Sequence, residues 1–170
     1  TEAVKRQSWL TPRVLSALGV VWALTLRDWH YLTVSGGTCE PGVLFLCVHN
    51  AGRSQMAAGW LRHLAGGLVK TYSAGSAPAT EVNPMAVTVM AEVGIDISGV
   101  EPQSWSEAMV EDVDVVVTMG CGDVCPVYPG KRYLDWELED PAGQGVEMVR
   151  ILRNQIEERV LDLIHELAVV

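Results

Sequence analysis

The sequence predicts an α/β fold in which helices cover both faces of a parallel sheet. Residues 43–48 (VLFLCV) form the continuous apolar run that is typical of a strand buried on both faces. Residues 54–65 (SQMAAGWLRHLA) follow after a short glycine-containing turn and have helical spacing of apolar positions. This alternation repeats along the chain, which favours parallel strands linked by helices. Ligands of such sheets bind beyond the carboxyl ends of the strands.

The later elements continue the alternation. Three further strands are predicted at residues 68–75, 113–120 and 131–136, where LVKTYSAG, VDVVVTMG and KRYLDW occur. A helix is predicted from Asn83 to residue 93, with Asn83 as its cap and Pro84 at the first helical position. Residues 146–167 are apolar at helical spacing and predict the last helix.

The chain is long enough for one globular domain and an appendage, since it has 170 residues of which 49% are hydrophobic. Residues 1–41 have a Trp- and Leu-rich helical pattern that ends in the glycine and proline of SGGTCEPG. We therefore predict an N-terminal helical extension and linker over residues 1–41 and a catalytic domain over residues 42–170. The apolar stretch at 14–26 is shorter than the roughly 20 residues that a membrane span needs.

Charge and cysteine content narrow the possible functions. The net charge of -9 argues against a nucleic-acid or anionic-membrane surface, so an anionic substrate needs a local positive pocket. The four cysteines are too few for a secreted disulfide scaffold, and no signal-peptide pattern is present. We expect a cytoplasmic protein with reduced thiols.

The loop that begins at Cys47 carries the chemistry. In CVHNAGRS a cysteine ends the buried strand, five residues intervene, and Arg53 and Ser54 open a helix. Backbone N–H groups of such a loop converge on one point and can hold a tetrahedral anion, and the same field favours a nucleophilic thiolate. The predicted oxyanion-binding residues are Val48, His49, Asn50, Ala51, Gly52 and Arg53.

Side chains of this loop have separate expected roles. Arg53 offers a bidentate guanidinium to two substrate oxygens, and Ser54 can hydrogen-bond the Cys47 sulfur. Asn50 and Gly52 suit positive φ. His49 is expected to face solvent or to be structural. The alternative is that Cys47 is an ordinary buried cysteine and Arg53 a surface residue of the next helix.

Four segments, CVHNAGRSQMA, SAGS, VVVTMGCGDVCP and DWELEDPAG, resemble the arsenate reductases related to low-molecular-weight tyrosine phosphatases. The similarity covers residues 42–170 and implies a four-stranded parallel sheet flanked by helices. It also implies that Asp140, followed by Pro141, is a general acid, a role that requires a raised pKa. The acidic neighbours Glu137 and Glu139 could help to raise that pKa. Without the resemblance, Asp-Pro would be interpreted as a turn.

The resemblance also gives roles to Cys121 and Cys125. In thioredoxin-coupled members of the family, one thiol attacks the arsenic-loaded cysteine and a second moves the disulfide to the surface. By this resemblance Cys121 would attack the arsenic-loaded cysteine, and Cys125 would move the disulfide to the surface. Gly120 and Gly122 would make the loop around Cys121 mobile. Only the three residues GDV separate these two cysteines, fewer than in many members of the family. If the loop were helical, a disulfide between them would be strained. The alternative is a zinc half-site or two inert thiols.

Arsenate reduction is thus the predicted activity, with thioredoxin as electron donor and with no bound cofactor or metal. A mycothiol, mycoredoxin or glutaredoxin-type donor is the alternative within that activity. Phosphatases of the family usually have proline after Arg-Ser and an aromatic after Asp-Pro, where this chain has Gln55 and Ala142. A phosphatase therefore ranks second. Some relatives bind potassium through a glutamate at the position of Ala58, which makes that site doubtful here.

The extension leaves a third possibility open. Residues 1–41 could be an interaction module or a remnant of fusion to an arsenite exporter, although we prefer helices that fold back on the catalytic domain. Cys39 in the linker has no assigned role.

Overall fold

A computed structural model of the chain describes residues 40–120 and 127–167. These residues belong to one compact unit, Glu40–Val170. The predicted extension, apart from residues 40 and 41, lies outside the described residues, as do Cys39, Cys121 and Cys125. The expectations for them remain predictions.

The predicted four-stranded parallel sheet is confirmed. Its strands are β1 (Gly42–Cys47), β2 (Lys70–Gly75), β3 (Val115–Thr118) and β4 (Arg132–Asp135). They lie in the order β2-β1-β3-β4, and every neighbouring pair is parallel. The chain leaves β1 toward β2 on one side, and β3 lies on the other side. This reversal creates a crevice at the carboxyl end of β1, where ligands of open α/β sheets bind.

In the described part of the chain, four helices flank the sheet: α1 (Arg53–Ala65), α2 (Pro84–Ala91), α3 (Glu107–Glu111) and α4 (Val146–Leu167). α2 begins as predicted, because Asn83 Oδ1 accepts the N–H of Met85 at 2.8 Å and Pro84 occupies the first turn. The short α3 was not predicted. Ser106 caps it by accepting the N–H of Met109 at 3.3 Å.

Several predicted boundaries were too wide. β2 begins at Lys70 and not at residue 68, where Leu68 is 55% exposed. β3 is shorter than predicted at both ends. Gly120 cannot extend β3, since its φ of 69° is incompatible with a strand. β4 is Arg132–Asp135, and α2 ends at Ala91 and not at residue 93.

Apolar side chains fill both faces of the sheet. Successive β1 residues alternate: Val43, Phe45 and Cys47 belong to one buried cluster, and Leu44 and Leu46 to the other. The first cluster includes residues of α1, α2 and α4, and the second includes Val110 of α3. Burial on both faces explains the continuous apolar run in β1. Of the helices described, none has the length and apolarity to cross a membrane.

Candidate active site

Cys47 ends β1 with its side chain almost completely buried, at 3% exposure. Its Sγ lies 3.0 Å from Ser54 Oγ at the start of α1. The backbone N–H of Asn50 donates to the same sulfur at 3.2 Å. The sulfur thus has one backbone donor and one side-chain hydroxyl as hydrogen-bond partners.

The carbonyl groups of the loop after Cys47 are turned away from the sulfur. Those of Cys47, Val48, His49 and Ala51 accept N–H groups of Ser76, Ala77, Ala79 and Asn83, at 3.3, 2.8, 2.9 and 2.8 Å. In a trans peptide the N–H points opposite to the carbonyl of the preceding residue. The N–H groups of residues 48, 49, 50 and 52 therefore point away from the 76–83 segment.

Asn50 N–H points at Cys47 Sγ, so this set of donors is directed toward the side of the loop on which the sulfur lies. Together with the amino terminus of α1, these donors form a cradle suited to a tetrahedral oxyanion. The predicted oxyanion-binding residues are residues 48–52 of this loop and Arg53, the first residue of α1. The sequence analysis missed the contribution of the 76–83 segment. Its one signal is Gly75, where a Cβ would lie 2.6 Å from the carbonyl oxygen of Val48.

Asn50 adopts the positive φ that was predicted, at 50°, and its side chain is fully buried. The same prediction was wrong for Gly52, whose φ is -129°. Glycine is needed there for a different reason, since a Cβ at Gly52 would lie 2.6 Å from Pro141 Cγ. The loop that carries Asp140 and Pro141 therefore packs directly on the cradle.

Arg53 links the cradle to this second loop. Its Nη2 donates to Asp140 Oδ2 at 2.9 Å and its Nη1 to the carbonyl of Leu138 at 3.2 Å. The arginine side chain is 9% exposed and the aspartate side chain 49%. The alternative of a surface arginine is thus wrong. His49, in contrast, is exposed.

The Asp140 loop is held at both of its ends. Trp136 N–H donates to the carbonyl of Thr118 at 2.8 Å, and its ring lies 5.7 Å from that of Phe45. At the other end, Asp140 Oδ1 accepts the N–H of Ala142 at 2.9 Å, which forms an Asx turn. The second carboxylate oxygen is therefore aimed at Arg53 by the turn itself.

A groove of about 760 Å³ borders Asp140. Most of the charged side chains that line it are acidic: Asp135, Glu137, Glu139, Asp140, Glu158 and Asp162, with Arg159 as the basic member. A surface of this sign repels an oxyanion. Buried Arg53 is therefore a candidate for the local positive group that an anionic substrate would need.

The chain passes close to Arg53 again at Gly120. A Cβ placed on Gly120 would lie 3.0 Å from Arg53 Nη1. The next residue is Cys121, which lies outside the described residues, as does Cys125.

Gln55 is fully buried and takes part in hydrogen bonds with Asn50 and Ser73. The sequence had singled it out only as a departure from the phosphatase pattern. Ala58 lies in the buried core and offers no ligand to a cation. Within residues 40–120 and 127–167, no group of three or more His, Cys, Asp or Glu side chains is placed to hold a metal ion.

Comparisons with known proteins agree with this geometry. The family model described as low molecular weight phosphotyrosine protein phosphatase matches residues 42–169. A glutaredoxin arsenate reductase of Synechocystis is 40% identical over 129 residues, which cover 74% of this chain and 98% of that protein. The family-model match leaves out the predicted extension.

Two solved structures show the range of activities on this fold. A thioredoxin-dependent arsenate reductase of Corynebacterium glutamicum superimposes with a TM-score of 0.67 and 40% identity, covering 88% of this chain and 71% of that one. An arginine phosphatase of Geobacillus stearothermophilus superimposes with a TM-score of 0.67 but 25% identity, covering 75% and 92%. The fold alone therefore does not separate reductases from phosphatases.

Proposed function

The chain belongs to the low molecular weight phosphotyrosine protein phosphatase family, and from its similarity to arsenate reductases of that family we propose that it reduces arsenate to arsenite. The relatives that are about 40% identical carry this activity in their names. The observation that best supports the chemistry is the geometry around Cys47. The buried sulfur contacts Ser54 and the N–H of Asn50, and Arg53 is the first residue of α1.

The first step is attack by the Cys47 thiolate on arsenic. Backbone N–H groups of residues 48–53 and the Arg53 guanidinium hold the arsenate oxygens. A sulfur–arsenic bond forms, one arsenic–oxygen bond breaks, and Asp140 supplies the proton with which that oxygen leaves as water. Asp140 is close enough for this role because it contacts Arg53, which would hold the same anion.

The second step transfers two electrons. Cys121 attacks the Cys47 sulfur, the electron pair of the sulfur–arsenic bond passes to arsenic, and arsenite leaves. Cys125 then attacks Cys121, and Cys47 departs as a thiolate, which leaves a Cys121–Cys125 disulfide for the donor to reduce. The close approach of Gly120, which precedes Cys121 in the sequence, to Arg53 supports this relay.

The phosphatase alternative is disfavoured by two side chains. Phosphatases of this family usually have an aromatic residue after Asp-Pro, which helps to hold the ring of a phosphotyrosine substrate. Ala142 occupies that position here. Gln55 replaces proline after the Arg-Ser pair and is built into the buried hydrogen bonds of the cradle. Both replacements suit a small inorganic anion.

We favour thioredoxin as the electron donor because two cysteines follow β3. The Corynebacterium glutamicum neighbour is described as thioredoxin-dependent, and the Synechocystis relative is named a glutaredoxin arsenate reductase. A glutaredoxin or a mycothiol and mycoredoxin pair is therefore the alternative. The proposal places the enzyme in the cytoplasm, where such donors are reduced. Residues 1–41 are a further candidate contact for a partner.

An arsenate-dependent NADPH-oxidation assay tests this proposal. The full chain is supplied in turn with thioredoxin and its reductase, with glutaredoxin, glutathione and glutathione reductase, or with mycothiol, mycoredoxin and their reductase. We expect turnover with thioredoxin that is lost in Cys47→Ser, Cys121→Ser and Cys125→Ser. Turnover that survives Cys125→Ser would contradict the two-thiol relay and favour a small-thiol donor.

A p-nitrophenyl phosphate assay run beside it decides between the two activities. The Cys47 cradle should hydrolyse this ester slowly compared with arsenate turnover. Fast ester hydrolysis without arsenate turnover by any donor would identify a phosphatase.

A further inference from the structure

A row of buried polar side chains connects β2 to the Cys47 sulfur. Ser73, Gln55, Asn50 and Ser54 are each at most 2% exposed. Ser73 Oγ is 3.2 Å from Gln55 Oε1, and Gln55 Nε2 is 3.1 Å from Asn50 Oδ1. Asn50 Nδ2 is 2.9 Å from Ser54 Oγ, which contacts Cys47 Sγ at 3.0 Å.

Backbone groups fix the orientation of both amides in this row. Gln55 Nε2 also lies 3.0 Å from the carbonyl of Asn50, which can only accept. Its other amide atom must therefore be the oxygen, so Ser73 donates to it. Asn50 Oδ1 accepts the N–H of Gln103 at 2.9 Å, and a backbone N–H can only donate. The nitrogen of Asn50 therefore faces Ser54 and donates to it.

Every hydrogen bond in the row consequently runs in one direction. Ser73 donates to Gln55, Gln55 to Asn50 and Asn50 to Ser54, which leaves the Ser54 proton for the sulfur. Either atom could donate in that last contact, but a thiolate has no proton of its own, so Ser54 is the donor whenever Cys47 is ionised. Hydrogen bonds in series polarise one another in the same sense, which makes the final donor stronger.

We propose that Gln55 is a positioning residue that, through Asn50 and Ser54, directs this chain of hydrogen bonds onto the Cys47 sulfur and stabilises it as thiolate. The inference rests on the proposed function, in which Cys47 is first a nucleophile and later a leaving group. Both roles are performed by the thiolate. A proline after the Arg-Ser pair, as in phosphatases of the family, has no side-chain amide for the link from Ser73 to Asn50.

The pH dependence of Cys47 alkylation tests this proposal. Iodoacetamide labelling of the full reduced chain, resolved at Cys47 by peptide mass spectrometry, gives the midpoint of its rate against pH. We expect Gln55→Met to raise the midpoint by about 0.5–1 pH unit, the effect of weakening one hydrogen bond to a charged group. Ser73→Ala, one link further away, should raise it by a smaller amount.

Two further variants separate positioning from general loss of stability. Arg153 is also buried and donates to the carbonyl of Val89 at 2.8 Å, away from the row. Arg153→Met should lower the Tm and leave the midpoint unchanged. In a Ser54→Ala background, Gln55→Met should add no further shift, because its effect passes through Ser54.

Each outcome bears on one claim. A Gln55→Met chain with the wild-type midpoint would overturn the inference, as would a shift of full size in the Ser54→Ala background. If wild-type Cys47 has the same midpoint as the chain unfolded in urea, the proposed function itself fails. A low wild-type midpoint that Gln55→Met does not move would leave the proposed function standing without this inference.

Discussion

The two ends of the parallel strands use polar side chains in opposite ways. At the amino ends, Lys70 Nζ donates to Asp112 Oδ1 at 2.8 Å and Tyr72 Oη to Asp112 Oδ2 at 2.6 Å. The Lys70 and Asp112 side chains are 40% and 44% exposed. At the carboxyl ends, Asn50, Ser54 and Gln55 are fully buried. The second group includes Asn50 and Ser54, which contact the Cys47 sulfur.

This difference predicts how each end responds to substitution. Exposed ion pairs contribute little to stability because water and salt screen them. A buried polar group that loses its partner retains the full cost of desolvation. Substitutions at the carboxyl ends should therefore change chemistry, whereas those at the amino ends should leave turnover intact.

The largest of three expected effects is at Asp140. Asp140→Asn keeps an oxygen for the Asx turn but removes the proton donor, so arsenate kcat/KM should fall by about 10²-fold or more. Because Arg53 loses its ion pair with Asp140, inorganic phosphate should inhibit the variant as strongly as wild type or more strongly. Both are measured in the coupled assay. Glu158→Gln, on the same groove, is the control and should match wild type. Unchanged kcat/KM in Asp140→Asn would remove the general-acid role.

An intermediate effect is expected at Gly52. A Cβ there would meet Pro141 Cγ at 2.6 Å, so Gly52→Ala should push the Asp140 loop away and reduce kcat/KM by about tenfold. Gly99→Ala is the matched control, since its Cβ would meet nothing within 4 Å. Equal activity of the two variants in the coupled assay would show that the packing of Pro141 on the cradle does not position Asp140.

The smallest effect is expected at the amino ends. The hydrogen bond from Lys70, followed by that from Tyr72, lowers the pKa of Asp112 below its ordinary value. A lowered carboxyl pKa stabilises the folded state above the unfolded pKa, and this stabilisation is lost as pH falls through the folded pKa. Asp112→Asn should therefore lower the Tm slightly at neutral pH and not at strongly acidic pH. Thermal melts across pH check this, and a change in arsenate turnover would contradict the comparison.

The sequence predicted elements whose cause is local. The apolar run of β1, the cap at Asn83 and the positive φ of Asn50 all follow from neighbouring residues. Gly52 was assigned the wrong cause because its constraint comes from Pro141, which lies far away in the chain. The amide of Gln55 was overlooked for the same reason, since the residue that contacts it, Ser73, lies on strand β2.

Identification of the site required both local sequence patterns and contacts between residues that are far apart in the chain. Strand, loop and helix around Cys47 indicate a thiolate aimed at an oxyanion, which reductases and phosphatases share. The pairing of Arg53 with Asp140 could not be derived from spacing, because it requires the β4 loop to turn back over α1. The charge of the chain predicted a local positive pocket for an anionic substrate, but not that acidic side chains would line the adjacent groove.

A single turnover without any external reductant tests the central claim most directly. The fully reduced chain is mixed with excess arsenate, and both arsenite and disulfides are quantified. We predict about one arsenite per chain and a Cys121–Cys125 disulfide in wild type, since each arsenate needs two electrons. Cys125→Ser should give the same arsenite with a Cys47–Cys121 disulfide, and Cys121→Ser should give none. Arsenite that forms only after a small thiol is added would contradict the relay.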